Sequence, residues 1–299
     1  MSRLLKLKTL FLVINTQCNL SCAYCYYKLF PRKKSFIQIT PEVIKKFFDL
    51  KGCIKNVSIT GGEPLLNEDL LSYMEIARNI GAEVTISTNA ILINQNLIDQ
   101  LKQQGVNKIK MFISLDSLNP SYTLRGGKSK KIIQAIKMCI KNGFKVNICS
   151  VISTENIDEI FSLQSFCDRY NLKFWPQPVY IPNNKDLQYL SLKNIKDADW
   201  RKMIDCIPKK MERSPAANFI KKYYKMIIKN DFARDKACPF ERESMIINID
   251  GNILTCFYRK DSVIGNINND VVLSEVLRRR RHKIRSLNCS GEQCFSLIA

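Results

Sequence analysis

Three cysteines, Cys18, Cys22 and Cys25, stand within eight positions of one another. Thiolates grouped this closely bind metal, and both a structural zinc site and a four-iron cluster ask for four ligands. Three is one too few. The chain has a single histidine, His282, so imidazole is a poor candidate for the fourth. Either a distant cysteine such as Cys53 closes a zinc site, or one coordination position is left open to bind something exchangeable.

Other residues of chemical interest follow at the ends of apolar runs. Thr60 is followed by Gly61-Gly62-Glu63-Pro64. Glycines there let backbone approach a ligand closely, and exposed carbonyls or the Glu63 carboxylate can accept from an ammonium. Ser87-Thr88-Asn89 and Ser114-Leu115-Asp116-Ser117 close two further runs with polar groups, which serve a ligand or an ordinary turn. Arg125-Gly126 comes next. Farther on, twelve residues separate Cys238 from Gly251 and four separate Gly251 from Cys256, with Cys289 and Cys294 in the tail. A hairpin at Asp250-Gly251 and a C-terminal helix would bring these four thiols together in one site, for zinc or for iron and sulfur.

The C-x3-C-x2-C pattern, with Tyr24 just ahead of its last cysteine and GGEP one βα unit later, resembles the signature of the radical S-adenosylmethionine (radical SAM) superfamily. That resemblance implies a partial (β/α)6 TIM-type barrel with a small C-terminal hairpin-plus-helix domain. It also implies a 4Fe-4S cluster on Cys18, Cys22 and Cys25 whose open iron chelates S-adenosylmethionine. Reductive cleavage then gives a 5′-deoxyadenosyl radical that abstracts hydrogen from the substrate. Tyr24 and the segment Gly61, Gly62, Glu63 and Pro64 are implied on the cosubstrate. Ser87 and Asn89, with Ser114 and Asp116, resemble positions that bind its ribose and methionyl parts. Arg125 is expected to pair with its carboxylate, although the His-Asp pair common ahead of that arginine is Ser121-Tyr122 here.

The spacing of Cys238, Gly251 and Cys256 resembles the opening of SPASM or shorter twitch extensions, which hold auxiliary clusters. A full SPASM extension would carry more cysteines after Cys256. The expectation is therefore a twitch-like domain with a second, auxiliary 4Fe-4S cluster on Cys238, Cys256, Cys289 and Cys294. With every iron position filled by cysteine, electron transfer is its implied role, which favours net oxidation.

These residues need a frame that brings strand ends together. Short β-rich runs at residues 9–15, 56–60, 83–88, 108–115, 145–152 and 172–176 alternate with helix-period segments at 67–79, 94–104, 129–142 and 155–170. A further helix opens at Thr40-Pro41-Glu42, a hydroxyl cap followed by proline. Six apolar strands alternating with helices predict a parallel sheet covered by helices, either open or curved into a barrel. Active sites of such folds lie at the carboxyl ends of the strands. The expected organisation is residues 1–180 for the partial barrel, 181–235 for a helical connector and 236–299 for the auxiliary domain.

Composition narrows the partners. No segment of the 299 residues approaches the roughly 18 consecutive apolar residues of a membrane span. The N-terminal apolar run is too short and lacks a small-residue cleavage pattern, so a cytoplasmic protein is expected. Cys53, Cys139, Cys149, Cys167 and Cys206 are scattered in apolar surroundings and read as small buried hydrophobes. The net charge of +20 attracts anionic partners, while Arg278–Arg281 reads as a solvated helix face.

A peptide is the first choice of substrate, with an oxidative modification of a ribosomally made peptide as the reaction. A small-molecule or natural-product dehydrogenation is the alternative, and a flavodoxin- or ferredoxin-type reductant is implied in either case. The first strand begins near residue 8, so no leader-binding domain is expected ahead of it, which weighs against a peptide. Nucleotide cyclisation is disfavoured because the C-terminal glycine pair of that group is missing. A basic zinc-containing nucleic-acid-binding protein is the rival of another class. The charge suits it, but the GGEP turn and the serial polar strand ends would have no purpose there.

Overall fold

Alternating β-branched residues in TLFLV, NVSIT, EVTIST and KVNICSVI favour a pleated, half-buried backbone, and each of these runs is a strand. The structure, a computed structural model, describes residues 7–25, 39–42, 54–181, 185–230, 243–257, 262–268, 275–276 and 279. Within them lie β1 (Thr9–Val13), β2 (Asn56–Thr60), β3 (Glu83–Thr88), β4 (Ile109–Ser114), β5 (Lys145–Ile152) and β6 (Lys173–Pro178). The intervening helices are α1 (Leu70–Asn79), α2 (Gln95–Gln103), α3 (Ser129–Lys141) and α4 (Ile160–Arg169). Two more, α5 (Asp197–Asp205) and α6 (Pro215–Lys229), fall in the expected connector. Of the helix expected from Thr40, only Pro41 and Glu42 are described, and both are helical.

The six strands are parallel and stand in sequence order, each paired with the next. Every crossover therefore steps the same way, and right-handed connections place all the helices on one face. That is the arrangement of a partial barrel rather than of a sheet covered on both sides. The strands are accordingly not apolar throughout. Leu10, Leu12, Ile59, Val84, Ile86 and Met111 face the helices in the main core. The alternate positions Ser58, Thr85, Ser87, Ser114, Cys149 and Gln177 turn to the inner face, where they mix with the aromatic side chains of Phe11, Phe112 and Trp175.

β6 is one edge of the sheet. Val179 donates its N–H to Ile152 on β5 (2.8 Å), so the odd-numbered residues of β6 turn their N–H groups toward β5 and the even-numbered ones away. Pro176 and Pro178 occupy that outward parity, leaving the edge without donors there and blunting it against further strand pairing.

The expected hairpin is present: β7 (Ser244–Ile247) turns at Gly251, whose φ is +77°, into β8 (Asn252–Leu254). Two features were not foreseen. A third strand, β9 (Val263–Asn266), pairs with β8, and β7 pairs in parallel with β1, from Thr9↔Ser244 to Leu12↔Ile247. The C-terminal unit thus continues the main sheet. Of the scattered cysteines, Cys139 and Cys167 are buried, with burial pushing each thiol up to about 12. Cys149 is half-buried, whereas Cys206 is exposed at the end of α5. Cys53 lies outside the described residues.

Candidate active site

The loop after β1 is held against the end of β2 chiefly by backbone hydrogen bonds. Ile14 N–H donates to Thr60 O (2.9 Å), Gly62 N–H to Asn15 O (3.0 Å) and Glu63 N–H to Gln17 O (2.7 Å). This contact explains the glycine pair: a Cβ on Gly61 would stand 2.7 Å from Asn15 O, and one on Gly62 would overlap the Gln17 carbonyl. Side chains complete the join, with Asn15 Nδ2 donating to Glu63 O and Asn67 Nδ2 to Ile14 O, both at 2.8 Å.

A second anchor fixes the cysteine loop to β4. Ala23 N–H donates to Leu124 O (2.9 Å), and the buried Tyr24 hydroxyl donates to Asp116 Oδ2. Asp116, 1% exposed, also accepts Arg125 Nε–H at 2.7 Å and Val151 N–H at 2.8 Å. The Arg125 guanidinium lies 6.0 Å from the Tyr24 ring centroid, in cation–π range. Burial works against the Arg125 charge, but Asp116 and Cys22 outweigh it and hold the guanidinium above its ordinary range.

Between these anchors, at the carboxyl ends of the strands, is a cavity of about 250 Å³. The β1 loop contributes Cys18, Cys22, Tyr24 and Cys25. The ends of β2 and β3 contribute Gly61, Gly62, Ser87 and Asn89, and Ser114 and Arg125 come from β4 and the loop beyond it. Glu63, Pro64 and Asp116 stand behind the wall. Glu63, 1% exposed, accepts from the Thr88 hydroxyl (2.6 Å), Asn89 N–H (2.8 Å) and Leu65 N–H (3.1 Å). Its carboxylate thus ties β2 to β3 instead of facing the cavity. Burial still pushes that carboxyl up, against the pull of the same three hydrogen bonds. Pro64 opens the short turn Pro64–Leu66.

Sequence reasoning missed Gln177 and Tyr180, which complete the wall from the end of β6. The polar strand-end logic that selected Ser87 and Ser114 would have found them in PQPVY.

Whether the thiols suit an iron–sulfur cluster can be judged from the donor set. Burial pushes the Cys22 thiol up, Arg125 pulls it down, and Asp116, Cys25 and Cys18 push it up again. Three mutually repelling thiolates need a cationic centre to be held deprotonated together. Among the described residues no three His, Cys, Asp or Glu side chains converge on a single-ion position. Cys18, Cys22 and Cys25 line one cavity, a donor set of the kind that holds an iron–sulfur cluster. The residues fit the group. Of the auxiliary set, Cys256 follows β8, half-buried, and its carbonyl accepts from the Ser262 hydroxyl at 2.8 Å. Cys238, Cys289 and Cys294 lie outside the described residues.

Known proteins match both regions. The family model of the radical SAM superfamily matches residues 12–167, over half the chain, and that of the SPASM iron–sulfur cluster-binding domain matches residues 238–295. A probable GTP 3′,8-cyclase of Methanocaldococcus jannaschii is 32% identical over 175 residues, which is 54% of this chain and 55% of that protein. An uncharacterised protein of the same organism is 27% identical over 88% of this chain and 90% of its own. The chain spans little more than half the length of the first curated relatives it matches.

Among solved structures, anSMEcpe with bound AdoMet superposes with a TM-score of 0.69 at 18% identity, covering 93% of this chain and 83% of that one. Streptococcus suis SuiB bound to S-adenosylmethionine gives 0.65 at 20% identity, covering 91% and 63%. The chain belongs to the radical SAM superfamily, with a cluster-forming 4Fe-4S site and S-adenosylmethionine as its cofactors and a C-terminal SPASM domain for further iron–sulfur ligation.

Proposed function

We propose that the enzyme oxidatively modifies a peptide, with Cys18, Cys22 and Cys25 holding the cluster at which S-adenosylmethionine binds. When bound, these groups supply one-electron cleavage to a 5′-deoxyadenosyl radical and hence hydrogen abstraction. The protein's part is to hold and orient. Arg125, fixed by Asp116 and lining the cavity, offers a guanidinium to the cosubstrate carboxylate. Gly61 and Gly62 let backbone close on its amino end, and Ser87 and Ser114 present hydroxyls along the same wall. Glu63 and Asp116 act as positioning residues, one for the β2–β3 junction and the other for Arg125 and Tyr24. Cys256, with Cys238, Cys289 and Cys294, is assigned to the auxiliary 4Fe-4S cluster, and residues 1–180, 181–235 and 236–299 remain the proposed division of the chain.

The observation that carries the peptide reading is the inner face of the barrel. It leads away from the cavity through Gln177 to Trp175, which is 44% exposed and meets Phe112 edge-on at 6.3 Å. Such a surface takes an extended substrate with an apolar side chain more readily than a small polar one. The similarity to SuiB, solved with its precursor peptide SuiA, and to anSMEcpe, solved with peptides, supports this reading. The blunted β6 edge argues that a peptide would lie across the inner face and not add to the sheet as a strand.

A second reading, nucleotide cyclisation, is favoured by the curated relatives described as GTP 3′,8-cyclase. One anaerobic experiment separates the two. Reconstituted enzyme, S-adenosylmethionine and a low-potential reductant are incubated either with peptides encoded beside its gene or with GTP. Loss of two hydrogens per modified peptide, with GTP untouched, is expected. Consumption of GTP with the peptides unchanged overturns the peptide assignment.

A further inference from the structure

The three cavity cysteines are not treated alike. Cys18 Sγ accepts the Leu20 backbone N–H at 3.4 Å and stands 3.7 Å from Asn89 Nδ2. Among the described residues, neither Cys22 nor Cys25 receives a comparable donor at sulfur.

The Asn89 amide has only one possible orientation. Its Oδ1 accepts Ile91 N–H at 3.0 Å, so Nδ2 must be the end that faces Cys18. Nδ2 also donates to Asn19 Oδ1 at 2.8 Å. Both amide protons and one oxygen lone pair are therefore spent inside the protein, although the residue lines the cavity. The backbone of Asn89 is clamped as well, its N–H held by the buried Glu63 carboxylate. A continuous chain of hydrogen bonds thus runs from Thr88 and Leu65 through Glu63 and Asn89 to the sulfur of Cys18.

We infer that Asn89 serves the cluster and not the cosubstrate: with Leu20 N–H, its amide donates to the Cys18 thiolate and raises the reduction potential of the cluster held there. This rests on Cys18 being a cluster ligand, as proposed above. The physical reason is electrostatic. A donor to sulfur stabilises negative charge on the ligand, and it stabilises the reduced, more negative state more than the oxidised one. Glu63 is a positioning residue for that donor, which gives its burial behind the cavity wall a purpose.

The test compares wild type with Asn89→Asp and Asn89→Ala, each the full chain, anaerobically reconstituted and titrated by EPR without S-adenosylmethionine. Aspartate keeps an acceptor for Ile91 but replaces the donor with an acceptor. Alanine removes the donor without adding charge, so it separates the two effects. At fixed potential, the reduced fraction of the cavity cluster should fall about tenfold relative to oxidised in the Asp variant, equivalent to ~59 mV for one electron. A smaller fall of the same sign is expected with Ala. Affinity for S-adenosylmethionine should stay within about twofold of wild type.

An unchanged potential with weakened S-adenosylmethionine binding would overturn the inference and return Asn89 to the cosubstrate. Loss of iron from both variants would also overturn it, leaving a purely structural role. Wild-type protein that takes up no iron would instead remove the cluster reading beneath it, an outcome distinct from either.

Discussion

The two cysteine regions are joined to one sheet by different means. The loop that carries Cys18, Cys22 and Cys25 is tied to β2 by three backbone hydrogen bonds and to β4 by the Tyr24–Asp116–Arg125 cluster. Its surroundings come from the ends of β2, β3, β4 and β6, each of which contributes a polar group or a glycine to the cavity, and from Val151 on β5. Cys256 instead sits just past β8, on an antiparallel extension joined to the barrel by the β1–β7 pairing and by Phe257, which meets Phe11 of β1 edge-on at 5.4 Å. Cys256 is absent from the cavity wall. The cavity that is proposed to admit an exchangeable molecule is built by long-range convergence, whereas Cys256, one of the four proposed auxiliary ligands, is positioned by a local hairpin.

That contrast breaks most sharply at the cavity. Changing Cys18, Cys22 and Cys25 together to Ala should abolish S-adenosylmethionine cleavage. It should also remove half of the about eight irons expected per chain for two four-iron clusters. Iron analysis and deoxyadenosine assays read both. Zinc with no charge-transfer absorption would contradict the cavity assignment.

Gly62→Ala should come next, since its Cβ would overlap the Gln17 carbonyl and force the cysteine loop away from β2. We expect a stability loss of about 3 kcal/mol or more by denaturant titration, with poor iron uptake. Wild-type stability would show that the two backbones do not need this closeness.

Arg125→Met attacks the other anchor. It leaves the Asp116 carboxylate buried with only Tyr24 and Val151 as donors, and loss of one partner of a buried pair costs ~3–5 kcal/mol. S-adenosylmethionine affinity should fall as well. Smaller again is Glu63→Gln, in which an amide NH2 would confront the donors of Asn89, Thr88 or Leu65. One unsatisfied buried group costs ~1–3 kcal/mol, and thermal unfolding would detect it. A fall in S-adenosylmethionine affinity with no change in stability would place the Glu63 carboxylate on the cosubstrate after all.

Much of this frame was legible in the sequence. All six barrel strands begin within a residue of their expected positions, because β-branched runs bounded by glycine, proline and asparagine specify strands locally. The cavity cysteines, both glycines and Arg125 were also selected, since strand ends in a parallel fold meet at one edge wherever the helices run. Three things were not legible, for related reasons. The β1–β7 pairing joins segments more than 230 residues apart, and no local signal records which edge a distant strand will extend. The polar positions of the inner face were written in the alternation of KVNICSVI, but a run rich in Val and Ile reads as apolar until the helices are placed on one side. Glu63 was expected to face the cosubstrate, whereas its carboxylate accepts from Thr88, Asn89 and Leu65 behind the cavity wall. A sequence shows that a carboxylate sits beside glycines but not which backbone N–H groups surround it.

The smallest effect on S-adenosylmethionine cleavage is expected at Cys256, and it sharpens the comparison because the two regions share a sheet. If the C-terminal unit only extends that sheet, Cys256→Ala should leave both deoxyadenosine and product unchanged. If Cys256 ligates an auxiliary cluster, the variant should lose about half its iron, the half that survives the triple cysteine change. Deoxyadenosine formation should nevertheless persist, since no cavity residue is touched and the anchors on β2 and β4 remain. Oxidised product should fall, so that the two yields separate. The same separation in a Cys294→Ala variant would place both residues in one ligand set. Were deoxyadenosine to fall in step with product, the β1–β7 pairing would be the simpler cause, with damage at β8 transmitted to the loop after β1. Circular dichroism and the stability of the variant would then show a matching loss, which ligand removal alone does not require.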